Sequence, residues 1–143
     1  MNMCDHPPTI LVVDDEPIVR DLAQRVLERS GYQVLIAEDG QAAIDIASGH
    51  PEVRAVLLDL GMPVMGGDTA APLLRAQHPE LALILSSGYS EREASERFGH
   101  GLLNGFLQKP YTPWALLAKV AEALTGPDAG VCVCTRSSVH APD

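Results

Sequence analysis

The residues Ile10-Leu11-Val12-Val13-Asp14-Asp15-Glu16-Pro17 change character halfway along. Four consecutive apolar positions, with no polar residue between them, suit a strand buried on both faces of a parallel sheet. The abrupt switch to carboxylates then places an acidic loop at the carboxyl end of that strand. Pro17 fits the first turn of a helix, where its missing N–H would have no intrahelical partner anyway. Ile18, Leu22 and Val26 recur at helical spacing with Val19 and Leu27 beside them, and Arg20, Asp21, Arg25 and Glu28 take the other positions. The segment therefore reads as an amphipathic helix closed by Gly31.

Further along the chain the same alternation recurs. Tyr32 to Ala37 reads as a strand, Gln41 to Ala47 as a short helix ending at Gly49, and Ala55 to Leu58 as a second fully apolar strand running into Asp59. A helix is expected from about Asp68 to Gln77, with Pro72 tolerated if it falls near the first turn. Leu81 to Leu85 is another buried strand, leading into Ser86-Ser87-Gly88, and Ser90 to Phe98 a charged helix. Gly105 to Gln108 is the last strand and is followed by Lys109-Pro110. Thr112 caps a closing helix that has Pro113 at its first position and Leu116, Leu117, Val120 and Leu124 facing inward, with Gly126 after its end. Five strands alternating with five helices make an α/β fold: a right-handed, doubly wound parallel sheet, whose ligands sit outside the carboxyl ends of the strands.

With 143 residues, the chain has the length of one ordinary domain. Residues 1–8 read as an amino-terminal extension, 9–125 as the domain, and 126–143, rich in Gly, Pro, Ala and Ser, as a tail or linker stub. No apolar run approaches the length of a membrane span and no signal peptide is visible, so a cytoplasmic protein without direct membrane contact is expected. Ten basic against nineteen acidic residues give a net charge of −9, which disfavours nucleic acid as a partner. Cys4, Cys132 and Cys134 lie at the two ends of the chain and suit a reducing compartment; Cys132 and Cys134 lack the further ligands of a structural metal site. The five histidines show no ligand spacing and read as surface residues.

The chemistry is expected where the strands end. Asp14, Asp15 and Asp59 each stand at the carboxyl end of a strongly apolar strand, and adjacency of those strands brings all three into one pocket. Taken alone, an Asp there is more often a cap or turn residue. Two carboxylates about 4 Å apart repel by roughly 4 kcal/mol at an effective dielectric near 20, so the group calls for a cation. Oxygen-only ligands at an exposed rim suit Mg2+. Ser87 from the fourth strand and Lys109 from the fifth add a hydroxyl donor and a fixed positive charge, suited to surrounding a phosphoryl group on Asp59.

Val12-Val13-Asp14-Asp15-Glu16, Leu57-Leu58-Asp59-Leu60-Gly61-Met62-Pro63, Leu85-Ser86-Ser87-Gly88 and Phe106-Leu107-Gln108-Lys109-Pro110-Tyr111 occur in this order. Together they resemble the receiver domain of two-component response regulators over residues 9 to 125. The resemblance implies a flavodoxin-like (βα)5 sheet of order 2-1-3-4-5 and a phosphorylation site at Asp59. It also implies direct Mg2+ ligation by Asp15, Asp59 and the carbonyl of Gly61, with Asp14 acting mostly through water. Ser87 and Phe106 would form the switch pair. Ser86 competes with Ser87 for the hydroxyl role, and Gly88 directly after Ser87 favours the latter. The implied partners are a sensor histidine kinase or a histidine phosphotransfer domain, and a downstream protein met through the Ser90–Phe98 helix, the last strand and the closing helix; a homodimer is left open. The sequence is also similar to the receivers at the carboxyl end of hybrid sensor histidine kinases, so an excised module and a single-domain regulator are both compatible with it. Gly61, and Gly66 before Gly67, depart from the family pattern by lacking side chains near the acceptor.

Such a domain is a phospho-acceptor rather than a free-standing enzyme. A hydrolase forming an aspartyl phosphate on a similar sheet usually carries Asp-x-Asp and a cap domain, whereas the acids here are adjacent and no insertion is long enough for a cap. A pseudo-receiver used only for binding would not need the acceptor, acidic pair, hydroxyl and lysine together. With no output segment evident after residue 126, output is expected to pass through protein contact.

Overall fold

In a computed structural model the chain forms a five-stranded sheet flanked by helices; the structure describes residues 8–62, 64–88, 92 and 103–124. The strands are β1 (Thr9–Val13), β2 (Gln33–Ala37), β3 (Val53–Asp59), β4 (Ala82–Ser87) and β5 (Gly105–Gln108). Among the described residues the helices are α1 (Pro17–Arg29), α2 (Gly40–Gly49), α3 (Gly67–Gln77) and α4 (Pro113–Leu124). All four strand pairings are parallel and the order is β2-β1-β3-β4-β5, as expected. Apart from Arg92, the helix expected at Ser90–Phe98 lies outside the described residues, as does the tail with Cys132 and Cys134.

Strand alternation explains why the central strands are apolar throughout. Ile10, Val12, Ala55, Leu57 and Ile84 face Ala23 and Leu27 of α1 and Leu116 and Val120 of α4. Their neighbours Leu11, Val13, Val56, Leu58 and Leu83 face Ala43 and Ile44 of α2 and Ala70, Ala71 and Leu74 of α3. Each strand thus serves two cores, and successive side chains point into opposite ones.

Local signals set the helix ends. Asp39 accepts the Ala42 N–H at 2.9 Å and caps α2, and Thr112 Oγ1 accepts the Ala115 N–H at 3.0 Å and caps α4. Gly31, at φ 99°, takes the left-handed conformation just past α1, and its N–H donates to the Glu28 carbonyl at 3.1 Å. Gly67 opens α3 so close to β3 that a Cβ there would stand 2.6 Å from the Asp59 carbonyl oxygen and 3.1 Å from Leu60 Cα. Backbone cannot yield as a side chain can, so Gly67→Ala is expected to lower unfolding stability by about 1–3 kcal/mol. An unchanged denaturant midpoint would show that the junction relaxes.

Four expectations need correction. In α1 the buried residues are Ala23 and Leu27, whereas Ile18 is 83% and Leu22 50% exposed. The apolar stripe is wider than the face the sheet covers. Pro72 lies inside α3, in its second turn rather than its first, because the helix already begins at Gly67. The surface reading of His78 also fails in part: its backbone ends α3 by donating to the Leu74 carbonyl, and its Nε2 is buried without a partner among the described residues. Strands β3 and β4 extend further than expected at their carboxyl ends, to Asp59 and Ser87, so these two candidate residues lie in the sheet itself.

Candidate functional site

Strands β1 and β3 are neighbours with Val13 paired to Leu58, which sets Asp14, the residue after β1, beside Asp59, the last residue of β3. Asp15 follows in the loop. Carboxylate oxygens of Asp14, Asp15 and Asp59 lie within 4.8 Å of one another. Asp14 and Asp59 are buried, at 3% and 6% exposure, while Asp15 is exposed. Lys109 follows β5, whose Gln108 pairs with Ser87 of β4, and its side chain crosses the end of β4 to reach the acids. Its Nζ donates to Asp14 Oδ2 at 2.7 Å and to Asp59 Oδ1 at 3.0 Å. The Lys109–Pro110 peptide bond is cis.

The pocket moves the titration of Asp59, Lys109 and Tyr111. Burial pushes the Asp59 carboxyl from the ordinary 3.8 up to about 6; the hydrogen bond from Lys109 opposes the rise, and the charges of Asp14 and Asp15 add to it. Burial alone would lower the Lys109 ammonium, but hydrogen bonds to Asp14 and Asp59 outweigh it and the net shift is upward. A firmly charged lysine thus stands between two acids. Tyr111, two residues on, is pushed up to about 12, first by burial and then by Asp14.

Asp14 is tied on every side. Its Oδ1 accepts the Glu16 N–H at 2.9 Å, and its backbone carbonyl accepts from Arg20 Nη1 at 2.8 Å. Sequence reasoning put Arg20 on the outer face of the first helix and missed this bond. The signal available was a basic residue little more than one helical turn past the acidic pair.

In front of the acids lies an open cleft of about 650 Å³, lined by Asp15, Glu16, Asp59, Leu60, Gly61, Met62, Gly66, Ser87, Gly88 and Lys109. Ser87 lines it; Ser86, one residue earlier and so on the opposite face of the strand, does not. Asp14 sits behind the cleft wall. Phe106, paired with Leu85, is outside the cleft and packs with Leu103 against Leu60 and Leu85. A Cβ built at Gly61 or Gly88 meets nothing within 4 Å, so the cleft mouth carries no side chain at either position. The available donors are hard oxygens, namely the three clustered carboxylates and backbone carbonyls at the cleft edge, and they fit a magnesium-sized cation.

The family model described as "Response regulator receiver domain" matches residues 10–121. The chain belongs to the response regulator receiver family. It is similar to the sensor kinase CckA of Brucella abortus, with 36% identity over 84% of this chain and 13% of that protein. It is similar to the response regulator MprA of Mycolicibacterium vanbaalenii, with 39% identity over 87% of this chain and 54% of that protein. The chain therefore spans about half the length of one curated relative and a small fraction of the other. Among solved structures, the chemotaxis protein CheY4 of Vibrio cholerae superposes with a TM-score of 0.77 and 26% identity, covering 82% of this chain and 99% of that one. Receiver domains act in two-component phosphorelays alongside histidine kinases or phosphotransfer domains and bind Mg2+ at an acidic pocket; they are regulators rather than classical enzymes. No helix among the described residues is long and apolar enough to cross a membrane.

Proposed function

We propose that this receiver takes a phosphoryl group onto Asp59 from a phosphohistidine of a sensor histidine kinase or histidine phosphotransfer domain. The observation that carries the reading is the Lys109 ammonium bridging Asp14 and Asp59 at the edge of an open cleft that Ser87 also lines. In the transfer, an Asp59 carboxylate oxygen forms the new bond to phosphorus while the phosphorus–nitrogen bond of the donor breaks. Lys109 Nζ and Ser87 Oγ are donors placed to pair with phosphoryl oxygens as charge develops on them. Asp14, Asp15, Asp59 and the Gly61 carbonyl would hold Mg2+, which supplies a compact positive charge that offsets the carboxylates and the incoming group. Asp14, buried and already hydrogen-bonded, acts at one remove from the cation, whereas Asp15 and Asp59 line the cleft.

Ser87 and Phe106 lie on the same strand pair, β4 and β5, and Phe106 is only partly buried. Their proposed role is a switch: the hydroxyl turns toward the phosphoryl group and the ring moves inward, altering the surface of β5 and α4 for a downstream protein. Similarity to both a sensor kinase and a response regulator is compatible with either parent context for the module.

Acetyl phosphate or phosphoramidate should label the protein only in the presence of Mg2+, and Asp59→Asn should take no label. Label without Mg2+, or label retained by the variant, would remove the proposal. The bare cleft mouth adds an expectation about lifetime. A Cβ at position 61 stands in open space, so Gly61→Asn and Gly61→Glu add a side chain at the cleft mouth that narrows the path of water, and both should slow loss of the phosphoryl group about two- to fivefold, under roughly 1 kcal/mol on the barrier. Equal decay rates for the three proteins would refute it.

A further inference from the structure

Asp14 is fastened at four points, and one of them involves a residue given no role so far. Its N–H donates to the Ala37 carbonyl at 3.2 Å, which continues the strand pairing. Its two carboxylate oxygens accept from the Glu16 N–H and from Lys109 Nζ. The fourth tie is Arg20, whose Nη1 donates to the Asp14 carbonyl at 2.8 Å. Arg20 is itself anchored in α1, its N–H bonded to the Glu16 carbonyl at 3.0 Å, so its guanidinium folds back across the turn between β1 and α1.

The carbonyl that Arg20 holds belongs to the peptide unit joining Asp14 to Asp15. That plane sets the direction in which the Asp15 side chain leaves the backbone. Asp15 is exposed and makes no side-chain hydrogen bond among the described residues, yet its carboxylate stays within the 4.8 Å cluster. Its placement thus depends on the turn being fixed. We propose that Arg20 is a positioning residue for cation binding: its charge-assisted bond to the Asp14 carbonyl holds the turn so that Asp15 faces Asp14 and Asp59. The inference rests on reading the acidic cleft as the Mg2+ site.

The two ways in which Arg20 could influence the cation have opposite signs. Through space, its positive charge repels Mg2+, so removing it would tighten binding. As an anchor it orders a ligand, so removing it weakens binding, as loss of a residue that orients a metal ligand generally does. Arg20→Met keeps most of the apolar stem and removes both charge and donors, whereas Arg20→Lys keeps the charge and a single-point donor.

The test is calorimetric titration of the unphosphorylated full chain with Mg2+, together with thermal unfolding in its absence, for the wild type and both variants. Arg20→Met should weaken Mg2+ binding about tenfold, Arg20→Lys by less, and the metal-free unfolding midpoints should stay close to that of the wild type. Unchanged or tighter Mg2+ binding by Arg20→Met, beside normal binding by the wild type, overturns the positioning role while leaving the cleft reading intact. A lower midpoint with unchanged affinity overturns it too, since that marks a purely structural bond. A wild type that binds no Mg2+ overturns the cleft reading and the inference together.

Discussion

Lys109→Met is expected to slow phosphoryl transfer from phosphoramidate at saturating Mg2+ by about 10²- to 10³-fold, the usual consequence of deleting one donor aimed at developing charge. The same substitution should tighten Mg2+ binding. Lys109 Nζ lies 2.7 Å from Asp14 Oδ2 and 3.0 Å from Asp59 Oδ1, so it competes with a metal for the charge of these acids, and its loss leaves them uncompensated. Slower transfer with tighter metal binding distinguishes a group that acts on the phosphoryl oxygens from one that merely helps the pocket to fold. A transfer rate within about threefold of the wild type would show that the lysine has no part in the chemistry.

Asp59→Asn is expected to stabilise the metal-free protein at neutral pH while abolishing phosphorylation. The folded Asp59 carboxyl titrates near 6 instead of 3.8, chiefly because burial disfavours its charge. The folded state therefore holds this proton more tightly than the unfolded state does. By linkage, the contribution of Asp59 to stability is most favourable at low pH, declines as the pH rises from about 4 to about 6, and stays unfavourable above that. Allowing for partial screening by solvent, the penalty at pH 7.5 is about 1–2 kcal/mol. Denaturant midpoints without Mg2+ should show the variant above the wild type at pH 7.5 and the two converging toward pH 4. A gap of constant size across that range would mean that burial of the Asp59 charge does not govern it.

Much of this arrangement could be read from residue order because several independent signals agreed. The unbroken apolar runs at Ile10–Val13 and Ala55–Leu58 indicated strands covered on both faces, and their abrupt endings in acids located the edge where the three carboxylates cluster. Caps and breakers such as Thr112, Pro113 and Gly31 report local backbone needs that tertiary structure did not override. What failed depends on geometry between elements. Helical spacing shows that Ile18 and Leu22 share a stripe with Val26, but not how far the sheet extends beneath it, and both remain exposed. Arg20 was missed for the same reason. Its bond runs to a backbone carbonyl of the preceding turn, and its spacing from the acidic pair does not by itself say where the long side chain folds back. The choice between Ser86 and Ser87 rested on a following glycine; strand alternation sets the two on opposite faces, and it is Ser87 that lines the cleft.

The central claim is that Asp59 is the residue that carries the phosphoryl group. An acyl phosphate, unlike a free carboxylate, is reduced by borohydride to an alcohol, which turns the modified aspartate into homoserine. After incubation with phosphoramidate and Mg2+, reduction and peptide mass mapping should place homoserine at position 59 and at neither 14 nor 15. Homoserine at one of the other acids, or at none, would contradict the account.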